Sequence, residues 1–266
     1  MTWSTIKTEA IVLASYPFCE ADRSYSAFTP EYGKVSFVGR GALKVRAKLA
    51  AHLEPFAIID LEIIQGRRST TVISVERKQT FRGIANSYEA RVLALHSLSL
   101  FNTHTKEHDR DVELYQELLN WLGFLDSSPA LSQLRSNFAL GAFLMKFMSH
   151  LGYEVELKTC ISCKSEILPL SFRWHGGRGG LVCSDCISKD LEEWFSARQI
   201  QEESIQMLRL ARELPYADLL KIHLKPDSVD DFANIVHDLM LYHLPVEPRA
   251  PFWEGLSLLE SDIKIG

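Results

Sequence analysis

The hydrophobic and polar positions of this chain follow one pattern up to about residue 80 and another pattern after it. In the first part, apolar or β-branched runs of strand length are separated by turn residues, which is typical of β-strands. These runs cover 8–15, 23–29, 34–40, 55–64 and 69–78. Five short strands in about 80 residues predict a small barrel of the OB type.

From about Ile84 onward, apolar residues recur three and four positions apart, which predicts helices. The predicted helices cover 88–101, 112–125, 131–150, 196–214 and 229–244. The third helix carries large apolar residues on several sides, so we expect it to be the buried axis of a bundle. The predicted fold class is therefore α+β. An N-terminal five-stranded OB-type β-barrel (1–80) is followed by an α-helical bundle domain (81–266). Because OB barrels commonly bind oligonucleotides, 1–80 is the predicted nucleic-acid-binding domain.

Two Cys-x-x-Cys pairs interrupt the helical part. Nineteen residues separate the first pair, Cys160 and Cys163, from the second pair, Cys183 and Cys186. This spacing is typical of a zinc site in which each pair occupies a tight turn and four thiolates complete a tetrahedron. Between the pairs, 172–182 is predicted to form two short strands around a glycine turn. We predict one structural Zn²⁺ in an inserted segment of about 158–190, named the cysteine module below.

The sequence gives weaker support to other roles for these residues, which stay open. The cysteines could form a redox dithiol pair or disulfides, and the glycines of 176–180 could cradle a phosphate if a helix followed them. A zinc deaminase would need a proline before a cysteine pair, where this chain has Thr159 and Val182. His175 could compete as a metal ligand, but we expect it to point to water at the hairpin turn.

The charge of the chain is unevenly distributed. Its net charge of −5 argues against a surface devoted entirely to nucleic acid. However, residues 1–80 contain 11 Lys and Arg against 8 Asp and Glu, whereas the remaining residues contain 18 against 26. An anionic ligand would therefore be attracted to the predicted barrel.

A basic connector between the third and fourth predicted strands is the strongest candidate for nucleic-acid binding. OB barrels bind single strands by contacting phosphates with Lys and Arg while aromatic rings stack on bases. The rings considered are Tyr25, Phe28, Tyr32 and Phe37, and the predicted nucleic-acid-binding residues are Arg23, Lys34, Phe37, Arg40, Lys44, Arg46, Lys48, Arg67 and Arg68. The alternative is that the cations are merely solvated and the rings fill the barrel core.

The sequence contains no motif that predicts catalysis. It has no Gly-x-Ser-x-Gly, no phosphate-binding Walker loop and no His-Glu-x-x-His, so we predict that the protein is not an enzyme. Its first residues do not resemble a secretory signal, and no apolar run approaches the length of a membrane span. Because four of five cysteines fit a metal site and Cys19 is left over, we expect a cytoplasmic protein.

The order of these parts is similar to that of the RecO family of bacterial recombination mediators. The resemblance covers nearly the whole chain and rests on Thr29-Pro30-Glu31-Tyr32-Gly33-Lys34, on Gly39-Arg40-Gly41-Ala42, on Leu53-Glu54-Pro55-Phe56 and on the cysteine pairs. The basic run at 43–48 departs from the adjacent arginines and proline that relatives tend to have there.

The resemblance implies a DNA repair and homologous recombination protein without enzymatic activity, associated with the nucleoid. Such a protein would bind single- and double-stranded DNA, promote annealing and, with RecR and single-strand-binding protein, help to load RecA on gapped DNA. RecA would be an indirect partner, and a groove in the helical domain would bind the C-terminal tail of single-strand-binding protein. The residues leave two other functions open. One is a zinc-ribbon and OB nucleic-acid-binding regulator, or an RNA-binding module, outside recombination. The other is a metal-dependent nucleic-acid enzyme, for which we expect no turnover of DNA when divalent ions are added.

Overall fold

The computed structural model describes residues 4–43, 49–67, 69–128, 131–168 and 171–244. Its contacts group the chain into two units, an N-terminal unit (1–130) and a C-terminal unit (131–266). Among its described residues, the N-terminal unit contains three α-helices and a short 3-10 helix (Ala50–His52) in addition to the strands. The predicted domain boundary near residue 80 is a different division of the chain and stays a prediction.

Five strands of the N-terminal unit close into a barrel in the order β1-β2-β3-β5-β4. They are β1 (Ser4–Phe18), β2 (Asp22–Thr29), β3 (Gly33–Gly39), β4 (Ala57–Gln65) and β5 (Thr70–Thr80). The first half of β1 pairs with β4 and its second half pairs with β2, with a register shift between Val12 and Ala14. The parallel pairing of β3 with β5, at Val38 and Thr71, closes the barrel. The predicted five-stranded barrel is therefore confirmed.

Side-chain alternation divides each strand between the barrel interior and its outer face. Val35 and Phe37 of β3 lie inside, against Tyr25 of β2, whereas Ser36 is exposed. The outer face is covered in part by helices of the same unit: the ring of Phe28 packs edge-on against Phe101, with 5.6 Å between centroids. Aromatic residues of the barrel are therefore buried on both of its faces.

The helices of the N-terminal unit are α1 (Arg82–Asn86), α2 (Tyr88–His104) and α3 (Val112–Ser127). Ser87 caps α2 by accepting a hydrogen bond from the Ala90 amide, and Asp111 caps α3 by accepting one from the Leu114 amide. The periodicity of apolar residues predicted α2 and α3 but not α1, because five residues are too few to show a helical period.

One buried tyrosine connects α3 to the barrel. Tyr115 donates a hydrogen bond to the carboxylate of Glu9 at 2.8 Å, and Lys78 donates to the other carboxylate oxygen at 2.5 Å. Burial raises the pKa of Glu9, but the hydrogen bonds from Lys78 and Tyr115 outweigh it and hold that pKa below its ordinary value. The ionised form of Glu9 is therefore favoured by the folded state.

Tyr115→Phe is expected to lower the free energy of unfolding by about 1.5–3 kcal/mol, because it removes a hydrogen bond to a charged acceptor. Urea unfolding at pH 7 measures this effect. Since the pKa of folded Glu9 is lowered, the bond stabilises the protein above the unfolded pKa of 4.5 and less as the pH falls through the folded pKa. The difference in free energy of unfolding between Tyr115→Phe and wild type should therefore shrink in acid. The control Tyr88→Phe, at an exposed position, should change the free energy of unfolding little at any pH.

The C-terminal unit contains a helical bundle and the cysteine module. Its elements are α4 (Gln133–His150), β6 (Phe172–His175), β7 (Gly180–Cys183), α5 (Ser184–Lys189), α6 (Glu202–Glu213), α7 (Tyr216–Leu219) and α8 (Pro226–His243). Helix α4 packs against α6, α7 and α8, and Phe143, Leu144 and Phe147 on it are fully buried. The prediction that this helix is the bundle axis is confirmed.

The predicted start of the fourth long helix at residue 196 is wrong. The backbones of Trp174 and Arg198 exchange two hydrogen bonds, of 2.8 and 2.9 Å, so the chain at Arg198 pairs with β6. Helix α6 begins only at Glu202. A local sequence pattern could not indicate this pairing, because its two partners lie 24 positions apart.

Among the described residues, none of the helices has the length and apolar character that crossing a membrane requires.

Candidate metal centre and nucleic-acid interface

The four cysteines converge at one point of the cysteine module. Cys160 and Cys163 lie in a tight turn, in which the Lys164 amide donates to the Cys160 carbonyl at 2.9 Å. Cys183 ends β7, and Cys186 lies in the first turn of α5. The four Sγ atoms all lie within 4.8 Å of one another. The sequence prediction that these residues form one site is in agreement with this geometry.

The distances between the thiols fit a tetrahedral metal ion. Four Zn–S bonds of about 2.3 Å in a tetrahedron require Sγ–Sγ distances of about 3.8 Å. The Sγ atoms of Cys163 and Cys183 lie 3.8 Å apart. In addition, the Cys183 amide donates a hydrogen bond to the Cys160 sulfur at 3.4 Å, which favours a thiolate there. The donor set is therefore suited to zinc.

The thiols differ in their protonation behaviour when no cation is bound. Hydrogen bonds from Ser165 lower the pKa of Cys163 to about 6, whereas burial raises the pKa of Cys183 to about 12. A divalent cation among the four sulfurs would favour the thiolate form of all of them. Four protein ligands fill the coordination shell and leave no position for water, so the zinc would be structural.

A small apolar core surrounds the thiols. Buried Cys160 and Cys186 pack with Val182, Ile187 and Trp194. The two cysteine pairs are also linked by the backbone, because the Ile161 amide donates to the Leu181 carbonyl at 2.8 Å. A core of so few apolar residues contributes little to folding, so we expect the folded state of this segment to depend on the bound metal.

The prediction that His175 points to water is wrong. This side chain is only 8% exposed. Its Nδ1 accepts a hydrogen bond from the Arg178 amide at 3.1 Å, so the ring proton lies on Nε2, which is 3.0 Å from the Ser196 hydroxyl oxygen. Burial lowers its pKa, which favours this neutral form. Both nitrogens are engaged in holding the turn, and His175 is therefore not positioned as a metal ligand.

The glycine turn between β6 and β7 serves packing. Gly179 adopts a positive φ of 59°, and Gly176 and Gly177 lie against the ring of Tyr242 on α8. The turn leads into β7 and not into a helix, so it lacks the context that a phosphate cradle requires.

The predicted DNA-contacting cations occupy different environments. Arg40, directly after β3, and Arg67, in the β4–β5 turn, are exposed. Lys34 is partly buried and donates to the Asn102 carbonyl at 2.7 Å, and Arg23 is half-buried. Lys44, Arg46, Lys48 and Arg68 lie outside the described residues.

Three of the four rings considered for base stacking are in the interior. Phe37 is 2% exposed and stacks on Tyr25 in the barrel core, with 5.6 Å between centroids, while Phe28 lies under Phe101 and Tyr115. A base cannot stack on a covered ring, so we correct the expectation for these three residues and remove Phe37 from the proposed interface. Of the four, Tyr32 is partly exposed.

Comparison with known proteins assigns the whole arrangement to one family. Residues 1–81 match the N-terminal domain of Recombination protein O, and residues 85–250 match its C-terminal domain. The chain belongs to the RecO family. Its relatives include the DNA repair protein RecO of Dehalococcoides mccartyi, 23% identical over 93% of this chain and 94% of the relative.

Two further RecO-family relatives support the assignment. The DNA repair protein RecO of Alkaliphilus metalliredigens is 25% identical over 90% of this chain and 94% of the relative. The DNA repair protein RecO of Geobacter metallireducens is 30% identical over 68% of this chain and 72% of the relative. The resemblance seen in the sequence is therefore confirmed, and the chain is a RecO-family DNA repair protein.

Proposed function

We propose that this RecO-family protein is a recombination mediator that binds single- and double-stranded DNA and promotes annealing. With RecR and single-strand-binding protein, whose C-terminal tail it would contact, it helps to load RecA on gapped DNA. It acts by binding and not by catalysis, in the cytoplasm and on the nucleoid. The observation that carries the proposal is a five-stranded barrel with an excess of basic residues in a chain whose relatives are named DNA repair proteins.

The barrel is the proposed DNA-binding part. Arg40 and Arg67 are exposed at the ends of its strands, and the sequence continues from Arg40 into Lys44, Arg46 and Lys48. Phosphate contacts of this kind position the protein on DNA without reading its sequence. The cysteine module, with one proposed structural Zn²⁺, would support the C-terminal unit and not the DNA contacts.

The test is fluorescence anisotropy of a labelled oligo-dT with the full zinc-loaded protein, across a salt series. If about five phosphates are contacted, the logarithm of the association constant should fall with the logarithm of salt concentration at a slope near −3.5. Addition of single-strand-binding protein should give a ternary complex that is lost when the C-terminal tail of that protein is removed. No binding of oligo-dT would contradict the proposal.

The variant Arg40→Ala with Lys44→Ala and Arg46→Ala is expected to weaken binding of every base sequence to a similar extent. Removal of three phosphate contacts should make the salt slope for a single strand less steep by about 2. The matched control is Lys189→Ala with Lys221→Ala and Lys225→Ala, which removes three exposed lysines of the C-terminal unit and should leave the slope unchanged. An unchanged salt slope in the first variant would show that the segment carrying Arg40, Lys44 and Arg46 does not contact DNA.

A competition titration separates the proposed function from the alternative of an RNA-binding module or sequence-specific regulator. Poly-dT and duplex DNA should compete for labelled oligo-dT. Stronger competition by RNA, or by one duplex sequence over others, would favour the alternative.

A further inference from the structure

The outer face of β1, β2 and β3 is only partly covered by helices. At one end, Phe28 lies under α2 and α3. Near the middle, Asn102 of α2 accepts a hydrogen bond from Ser26 at 2.6 Å and its carbonyl accepts one from Lys34 at 2.7 Å. Beyond Asn102, towards the β1–β2 turn, the face carries Tyr16 and Phe18, which the described residues leave exposed.

Both rings are accessible to solvent. Tyr16 is 57% exposed and Phe18 is 47% exposed. They lie two positions apart on one strand, so they project from the same face and are separated by roughly 6.6 Å along β1. The Asn102 side-chain amide donates a hydrogen bond to the Tyr16 hydroxyl at 3.3 Å. On β2, the residue that pairs with Tyr16 is Ser24, whose side chain is small. The result is a shallow aromatic surface on a rigid sheet.

Exposed charges of both signs lie near this surface: Arg40 follows β3, and Glu20 lies in the β1–β2 turn. The Gly41 amide donates to the Asp22 carboxylate at 2.7 Å, and the Leu43 amide donates to the Ala21 carbonyl at 3.0 Å. These bonds hold the segment that follows Arg40 against the β1–β2 turn, where Asp22 pairs with Phe18. Exposed Arg40 therefore lies at the same end of the sheet as Phe18, two strands away from it, and the carboxylate of Asp22 is engaged by the backbone.

We propose that Tyr16 and Phe18 form a stacking surface for unpaired nucleobases, with Arg40 contacting the adjacent phosphates. This inference rests on the proposed function and names the residues that would distinguish a single strand from a duplex. Bases present an aromatic face only when they are unpaired, and rings next to cations in a barrel suit that ligand. The spacing of the rings is about twice the 3.4 Å rise of stacked bases, so one strand could place a separate base on each ring.

The test compares binding of single-stranded oligo-dT and of duplex DNA by Tyr16→Ala, Phe18→Ala and the double variant. Each substitution should weaken single-strand binding about tenfold and duplex binding less than twofold. The salt slope should not change, because phosphate contacts remain, whereas Arg40→Ala should make it less steep by about 0.7 for a single strand. The matched control is Tyr88→Ala, which removes a ring of similar exposure, 53%, from α2 and should have no effect.

Two further measurements test stacking itself. Tyr16→Trp with Phe18→Tyr keeps both rings and should bind within twofold of wild type. An oligonucleotide of the same length with abasic sites loses both stacking contacts, so it should bind wild type about a hundredfold more weakly than oligo-dT does. The double alanine variant should no longer discriminate between the two. This measurement also tests the proposal on wild type alone, without a variant.

The outcomes separate the two proposals. If wild type does not bind oligo-dT, the proposed function fails. If wild type binds oligo-dT and the double alanine variant binds it equally well, only the stacking surface is overturned, and the rings would be assigned to a protein partner. Equal binding of abasic and intact strands by wild type would also overturn it.

Discussion

Cys183→Ser is expected to abolish zinc binding and to unfold the cysteine module while the barrel remains folded. A tetrahedral thiolate site that loses one ligand loses most of its affinity, and structural zinc contributes on the order of 10 kcal/mol or more to the folding of small modules. The apolar core around the thiols is too small to replace that contribution. Of the variants considered, this one should have the largest effect.

Unfolding of the module should also weaken the helices of its own unit. Arg198, whose backbone pairs with β6, forms ion pairs with Asp231 and Asp238 of α8, at 3.3 and 2.8 Å. The Arg212 side chain on α6 donates to the Val155 carbonyl at 2.9 Å, just before the module. These contacts would loosen without the metal, so α8 should show faster amide hydrogen exchange although the far-UV spectrum stays largely helical.

The measurement combines elemental analysis of bound zinc with limited proteolysis and amide exchange. Wild type should carry one zinc per chain, and the variant should be cleaved within 158–190. Cys19→Ser is the matched control, because Cys19 is exposed and lies in the N-terminal unit. It should keep one zinc and the wild-type cleavage pattern. Stoichiometric zinc in Cys183→Ser would contradict the four-cysteine site.

The barrel and the long helices could be predicted because each depends on a local pattern. Strand alternation and the three-to-four-residue helical period are set by backbone geometry, and the cysteine spacing is set by the metal. The strand pattern does not indicate which residues of the outer face are covered by helices. Phe28 and Tyr16 both lie on the outer face, and the positions of α2 and α3 decide that Phe28 is buried and Tyr16 exposed.

The spacing of the interior rings does carry a signal in the sequence. Tyr25 and Ala27 on β2, and Val35 and Phe37 on β3, share one face by their even spacing, so they predict a core and not a stacking surface. His175 offered no such signal. Its burial depends on Ser196 and on the backbone of Arg178, and sequence spacing does not indicate that the turn folds back on the ring.

Gly141→Val is expected to destabilise the bundle by about 3 kcal/mol or more. Gly141 lies on α4 where the ring of Phe232 on α8 crosses it, and a Cβ atom there would overlap Cε1 of that ring and lie 2.9 Å from its Cζ. Phe232 is fully buried and packs edge-on against Phe138, with 5.1 Å between centroids. Protein cores are close-packed, so a ring buried in this way can yield little, and overpacking of such a core is costly.

Thermal unfolding of the full chain measures this effect, and the midpoint of the transition that includes α4 should fall by about 10 °C. Gly123→Val is the matched control: it makes the same change inside α3, where a Cβ atom would meet nothing within 4 Å. Because valine has a slightly better helix propensity than glycine, that variant should be neutral or slightly more stable. Phe232→Leu added to Gly141→Val should recover part of the loss, because the smaller side chain leaves room for the new methyl groups. Equal midpoints for the two glycine variants would mean that the α4–α8 contact does not limit the stability of the bundle.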